Sequence, residues 1–266
     1  MTISALILVP LLLFAFQDED AAHDKALESL VNAERHFAAV SVEKGFHQAF
    51  VENMADDGLV FAPGPVNGKK LHANAPESNA ILNWYPAYAA ISRSLDWGYT
   101  TGPYEFKANP EAKEPAGAGF YLSVWKKQPD GTWKVAVDMG NSFPASLIKE
   151  EKYLPAPVSK SIETGTTDEL LATDVQKVQP YQAETLIYRH DEYPVKYKDV
   201  VIEPAANITY TNLGFDVASA GDMAYTYGSF TQLTSQGDVT GHYLKVWEVK
   251  NGQWQLSAHN LVPDKK

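Results

Sequence analysis

The clearest pattern in the chain is a strand–turn–strand alternation near its middle. From Gly119 to Asp138 the sequence reads GFYLSVWKKQPDGTWKVAVD, with two apolar and aromatic runs around Gln128-Pro129-Asp130-Gly131. Pro129 presets φ, and Gly131 can take the left-handed position that closes a three-residue loop, so the stretch predicts a β-hairpin. The pattern returns from Gly241 to His259 as GHYLKVWEVKNGQWQLSAH, turned by Asn251-Gly252. Tyr121-Leu122 and Trp125 match Tyr243-Leu244 and Trp247 at an offset of 122. DWGYTTGPYEF (from Asp96) and DMAYTYGSF (from Asp222) match at an offset of 126. Two ordered matches predict an internal duplication.

Helical spacing precedes the strands. Leu27, Leu30, Val31, Phe37 and Ala38 fall on one helical face after Asp24, with Gly45 placed to end the element. A short second helix is expected over Phe46, Ala49, Phe50 and Met54, and a third from Pro76 to Asn83. Leu59-Val60-Phe61 reads as a strand, and strands are expected from Tyr88 to Val137 apart from a polar loop at Asn109 to Gly117. The proline-rich stretch around 145–167 reads as a linker. Beyond it come a helix over Asp168 to Asp174 and a strand at Leu186-Ile187-Tyr188. Helices followed by an antiparallel meander predict an α+β unit, helices packed on a strongly curved sheet. The expected organisation is 1–17 an export signal, 22–144 the first domain, 145–167 a linker and 168–264 a second domain with a shortened helical part.

Composition narrows the function classes. The net charge is −11 with no basic cluster, which argues against nucleic acid and anionic membrane surfaces. Leu6 to Phe16 is an unbroken apolar run of 11 residues, short of the ~20 that span a bilayer, so it reads as an export signal to the periplasm or exterior of a bacterium. The chain has no cysteine, which removes disulfides and thiolate chemistry.

The segments VENMADDGLVFAPGP, DWGYTTGPYEF and YLSVWKKQPDGTWKVAVDMGNSFP, with Tyr188-Arg189, DMAYTYG and YLKVWEVKNGQW in the second half, resemble the SnoaL-like, DUF4440 branch of the NTF2-like superfamily. The resemblance implies two cone-shaped domains, each with a pocket between helices and sheet, often dimerising through the sheet. The superfamily holds acid/base enzymes such as ketosteroid isomerase, and many non-catalytic binding domains. A fold shared so widely does not fix an activity.

Candidate chemistry comes from the hairpins. Uninterrupted alternation places Leu122 opposite Asp138 and Leu244 opposite His259, so Phe120, Leu122, Val124, Ala136 and Asp138 are expected on one face, and His242, Leu244, Val246, Ser257 and His259 on its counterpart. Asp138 and His259 then occupy equivalent positions beside apolar neighbours, where burial raises a carboxyl's pKa and lowers an imidazole's, and they are the candidate acid/base groups. Tyr99 and Tyr121, or Tyr188 and Tyr225, are candidate hydroxyl donors. Trp84, Phe120, Leu122, His242 and Leu244 complete the candidate ligand contacts. The first strand, Leu59-Val60-Phe61, carries no carboxylate to match the isomerase's base. His190, His242 and His259 match no metal motif, and no cofactor loop is present, so neither metal nor cofactor is expected.

Two functions stay open: an exported tandem protein that binds a small apolar or amphipathic ligand, or a protein partner, in a conical pocket; and a cofactor-free isomerase, dehydratase or hydrolase of a small hydrophobic substrate. A monomer whose two sheets form an intramolecular pseudo-dimer is expected, a homodimer being the alternative.

Overall fold

The computed structural model describes residues 8–158, 161–200 and 207–264, with side chains from residue 20 onwards. The first half opens with α1 (Leu8–Lys44), which buries Leu27, Leu30, Val31, Phe37 and Ala38. The helix already includes the chain before Asp24; residues 1–7 of the expected signal lie outside the described residues. No helix among the described residues is long and apolar enough to cross a membrane. Gly45 breaks α1 at φ +90°, a conformation that suits glycine, and α2 (Phe46–Asn53) follows.

Seven strands and a short helix complete this half: β1 (Met54–Phe61), β2 (Pro65–Asn67), α3 (Gly68–Ala73), β3 (Ile81–Trp84), β4 (Tyr88–Ile91), β5 (Trp97–Lys107), β6 (Gly117–Lys127) and β7 (Trp133–Phe143). The third helix therefore lies at 68–73, capped by the Asn67 side chain on Lys70 N (2.8 Å), and the expected helix end at 81–83 is strand β3. The linker adds β8 (Leu154–Pro155), paired with β4.

The second half contains α4 (Thr167–Asp174), β9 (Tyr181–Tyr188), β10 (Val195–Lys196), β11 (Ile208–Val217), β12 (Met223–Thr234), β13 (Gly237–Lys250) and β14 (Gln253–Pro263). Thr166 and Glu169 form a reciprocal capping box that starts α4. The two sheets share one strand order, β2-β1-β7-β6-β5 in the first and β10-β9-β14-β13-β12 in the second. Both are α+β cones with helices on the concave side.

The hairpin turns form as predicted, but the registers do not. Lys127 pairs with Trp133 across a turn with Gly131 at φ +85°, and Lys250 pairs with Gln253 across Asn251-Gly252. A one-residue bulge then follows in each hairpin, leaving Ala136 and Ser257 unpaired. Beyond it Asp138 pairs with Ser123, not Leu122, and His259 with Lys245, not Leu244. A slip of one residue exchanges faces. Phe120, Leu122 and Val124 face the other half, whereas Asp138 joins Tyr121, Ser123 and Trp125 on the concave side.

The convex faces pack back to back. Leu122, Val124, Val137 and Met139 from the first sheet share one core with Leu244, Val246 and Ala258 from the second. Polar ties lock the seam. Asp222 accepts from Ser92 Oγ (2.5 Å) and Arg93 N (3.0 Å), and its carboxylate lies 3.3 Å from Arg93 Nε. Thr101 and Tyr188 share a hydroxyl bond of 2.7 Å, and Asn260 Nδ2 donates to Met139 O at 2.8 Å.

Candidate functional site

Under α1 and α2 the first sheet encloses a cavity of about 390 Å³. Phe37 from α1, Phe50 from α2, Trp84 from β3, and Tyr104 and Phe106 from β5 form its aromatic walls. Tyr121, Ser123 and Asp138, on the adjacent strands β6 and β7, supply its polar end. The bulge at Ala136 puts Asp138 there by turning it away from the seam.

The polar end is sparsely bonded. Asp138 accepts a hydrogen bond from Ser123 Oγ (2.5 Å), and burial lifts its carboxyl from 3.8 to about 6. Tyr121 is buried, and its hydroxyl makes no well-formed hydrogen bond. The nearby Thr100 hydroxyl is committed elsewhere, donating to Glu34 and accepting from Trp125 Nε1. Burial raises the Tyr121 pKa far above its ordinary value, with the charge of Glu34 adding to the effect, so the phenol stays a proton donor at all ordinary pH.

Behind the cavity sits a carboxylate that its sequence neighbourhood does not reveal. Glu34, on α1, is fully buried and accepts from Trp84 Nε1 (2.6 Å), Trp125 Nε1 (3.0 Å) and Thr100 Oγ1. Desolvation raises it from 4.5 to about 7, against the pull of the Thr100 and Trp84 bonds. It ties helix to sheet beneath the pocket floor.

The second half builds the same scaffold and fills it. Asp174, at the end of α4, takes the place of Glu34: it accepts from Thr226 Oγ1 (2.7 Å), Tyr243 OH (2.6 Å) and Asn212 Nδ2 (2.8 Å). Trp247 Nε1 donates to Thr226 at 2.8 Å, as Trp125 does to Thr100. Where the first half has Ser123, the second has Lys245, wholly buried, with its ammonium 2.6 Å from Asp174 O and 3.1 Å from Asp174 Oδ1. That ammonium also lies 3.8 Å from the centre of the Tyr210 ring, a cation–π contact. Burial lowers Lys245 to about 8, with Asp174 opposing the fall. His259, the counterpart of Asp138, is fully buried, bonded to Tyr181 OH through Nδ1 (2.8 Å) and held well below its ordinary pKa by burial and then by Lys245. It is a neutral packing group beside a plug of aromatic rings.

The candidate residues therefore separate. Asp138, Tyr121 and Trp84 meet in the first cavity. Tyr99 and Phe120 line a different hollow, at the seam. Leu122, Leu244, Tyr188 and Tyr225 belong to the inter-sheet core, Tyr225 stacked on Trp97 at 6.2 Å. His242 lies beside Phe61 of the first half, with Nδ1 3.3 Å from Asp264. Sequence reasoning passed over Ser123, Phe37, Phe50, Tyr104 and Phe106, whose signal is their place on concave-facing strand and helix positions. Asp96 and Asp222, which open the matched segments, both reach across the seam: Asp222 accepts from Ser92 Oγ, and Asp96 accepts from Ser219 Oγ at 3.3 Å.

No family model matches the chain, and no curated protein matches it. Several solved structures are similar over roughly half of it. A protein of unknown function with a cystatin-like fold from Nostoc punctiforme is 18% identical, with 44% of this chain and 90% of that one covered and a TM-score of 0.35. An NTF-2 like protein of unknown function from Shewanella oneidensis is 15% identical over 42% of this chain and 96% of its own, at a TM-score of 0.35. An NTF2-like protein with a cystatin-like fold from Novosphingobium aromaticivorans is 13% identical over 52% and 90%, again with a TM-score of 0.35.

Proposed function

We propose that the first half is a receptor for one small, largely apolar molecule carrying a carbonyl or hydroxyl group, and that the second half is a duplicated copy retained as scaffold. The observation that carries this reading is the open, aromatic-walled cavity with Asp138 at its polar end, beside the buried Tyr121, whose nearest hydroxyl partner, Thr100, already serves Glu34 and Trp125. A buried donor whose bond is poorly formed costs stability, so a ligand acceptor that reaches it returns part of that cost. Lys245 and its aromatic neighbours occupy the corresponding space in the second half, which leaves this site to the first half among the described residues. The SnoaL-like, DUF4440 character of both halves and export from the cell belong to the same reading. So does a monomeric state, because each convex sheet face is covered by the other half.

A second reading, proton transfer without a cofactor, is favoured by one feature: Asp138 titrates at about 6 and changes protonation near neutrality. In either case a protonated Asp138 offers a ligand carbonyl a second donor. The test is calorimetric titration with 2-decalone at pH 5 and pH 8. The expected result is saturable binding that weakens at pH 8, and loss of that pH dependence in Asp138→Asn, which keeps a donor at both values. No binding to the wild type, or unchanged affinity in Tyr121→Phe, overturns the proposal.

A further inference from the structure

The seam between the halves holds two hollows related by the shared strand order. One, of about 610 Å³, includes Ser257, Leu186 and Tyr99; the other, of about 570 Å³, includes their counterparts Ala136, Leu59 and Tyr225. The bulged residue of each hairpin faces its hollow, Ser257 in one and Ala136 in the other. The hollows differ in what closes them. The linker runs only over the larger one, where Lys149, Glu151, Lys152 and strand β8 form an outer wall. The smaller one has no linker residue among its walls.

The chemistry of the larger hollow is uneven. Its floor is apolar and aromatic, with Tyr99, Phe120, Leu186 and Leu256. Ser257 Oγ and Gln182 Nε2, both shut away from solvent, have no hydrogen-bond partner. Three of the four acidic groups of the wall are engaged: Glu184 by Lys196 (2.6 Å) and Lys198 (2.5 Å), Glu248 by Lys250 (2.9 Å), and Glu151 as acceptor from Tyr193 OH (2.6 Å); the fourth, Asp199, lies beside Lys198. Lys149 rests over the Tyr193 ring at 4.7 Å, and among the described residues neither Lys149 nor Lys152 has a carboxylate within ion-pair distance. Of the four lysines that line the hollow, Lys196 and Lys250 are paired with Glu184 and Glu248, and among the described residues Lys149 and Lys152 have no carboxylate partner.

We infer that the linker-roofed seam hollow is a second binding site, taking a small amphipathic carboxylate whose apolar body lies on Tyr99, Phe120 and Leu186 and whose head meets Lys149 and Lys152 with Ser257 or Gln182. This site is separate from the cavity under α1, and it stands whether or not that cavity binds a ketone. Ligand pockets favour such boundaries, with apolar walls and a few polar groups that orient the guest. The linker acts as part of the site as well as a tether.

Decanoate is the probe, titrated calorimetrically into the full chain at low salt, with 1-decanol as its uncharged analogue. Saturable decanoate binding is expected, tighter than that of decanol. The surface double variant Lys149→Glu/Lys152→Glu should raise the decanoate Kd about tenfold or more while leaving decanol binding unchanged. Saturating 2-decalone should leave decanoate affinity unchanged, which separates this site from the first. Three outcomes overturn the inference: no saturable decanoate binding, the same Kd in the double variant, or displacement of decanoate by 2-decalone.

Discussion

Glu34 offers a prediction that runs against the usual expectation for a buried carboxylate with three donors. Folding lifts its pKa from 4.5 to about 7, because the loss of water outweighs the bonds from Thr100, Trp84 and Trp125. A raised acid pKa means that the native state binds the proton more tightly than the unfolded chain does. Stability from this group is therefore fully present below pH 4.5 and is lost as pH rises to about 7. A displacement of that size corresponds to roughly 3 kcal/mol. In Glu34→Gln the amide keeps the acid's shape and one acceptor oxygen, offers N–H donors in place of the acid's O–H, and never ionises. The variant should lie within about 1 kcal/mol of wild type at pH 5, and should be more stable by about 2–3 kcal/mol at pH 8. Urea unfolding followed by tryptophan fluorescence at both pH values measures this, and the difference between the two proteins reports Glu34 together with its coupling to Asp138. A variant that is less stable than wild type at pH 8 would show that the three hydrogen bonds outweigh desolvation, and the reasoning would fail.

Other outcomes follow from the same structure. Lys245→Met strips a buried carboxylate of its cation and should lower stability by about 3 kcal/mol in urea melts, while the double variant Asp174→Asn/Lys245→Met should recover most of the loss. Asp222→Ala removes the bonds to Ser92 and Arg93 at the seam and should cost about 2 kcal/mol; an unchanged unfolding midpoint would show that apolar packing alone holds the halves together. The sheet-on-sheet seam also predicts a monomeric mass in light scattering, and a dimer would contradict it.

The sequence carried the architecture well because hairpins and repeats are local signals. Both turns formed at the residues that turn chemistry names, and the matched segments occupy the same strands of the two sheets. What strict alternation could not carry was the extra residue at Ala136 and at Ser257. A bulge has no signature in a period-two pattern, yet it moved Asp138 from the seam into the cavity. The equivalence of Asp138 and His259 survived because both hairpins bulge at the same place. Glu34 escaped notice for a related reason: beside His36 on a helix it looks like an ordinary surface acid, and its partners Trp84, Thr100 and Trp125 come from three separate strands. Trp84, a candidate ligand contact, is both core and cavity wall. The plug in the second half was hidden in one exchange, Ser123 for Lys245, which a residue-by-residue comparison of the hairpins contains but whose consequence depends on the tyrosines around it.

The most direct test of the central claim is an NMR titration of the tyrosine rings with 2-decalone, using ring-labelled protein and assigning Tyr121 through Tyr121→Phe. Saturable shifts are expected at Tyr121 and Tyr104, lining the open cavity, with Tyr210 and Tyr243 in the filled half unmoved. Shifts at Tyr210 and Tyr243 without shifts at Tyr121 would contradict it.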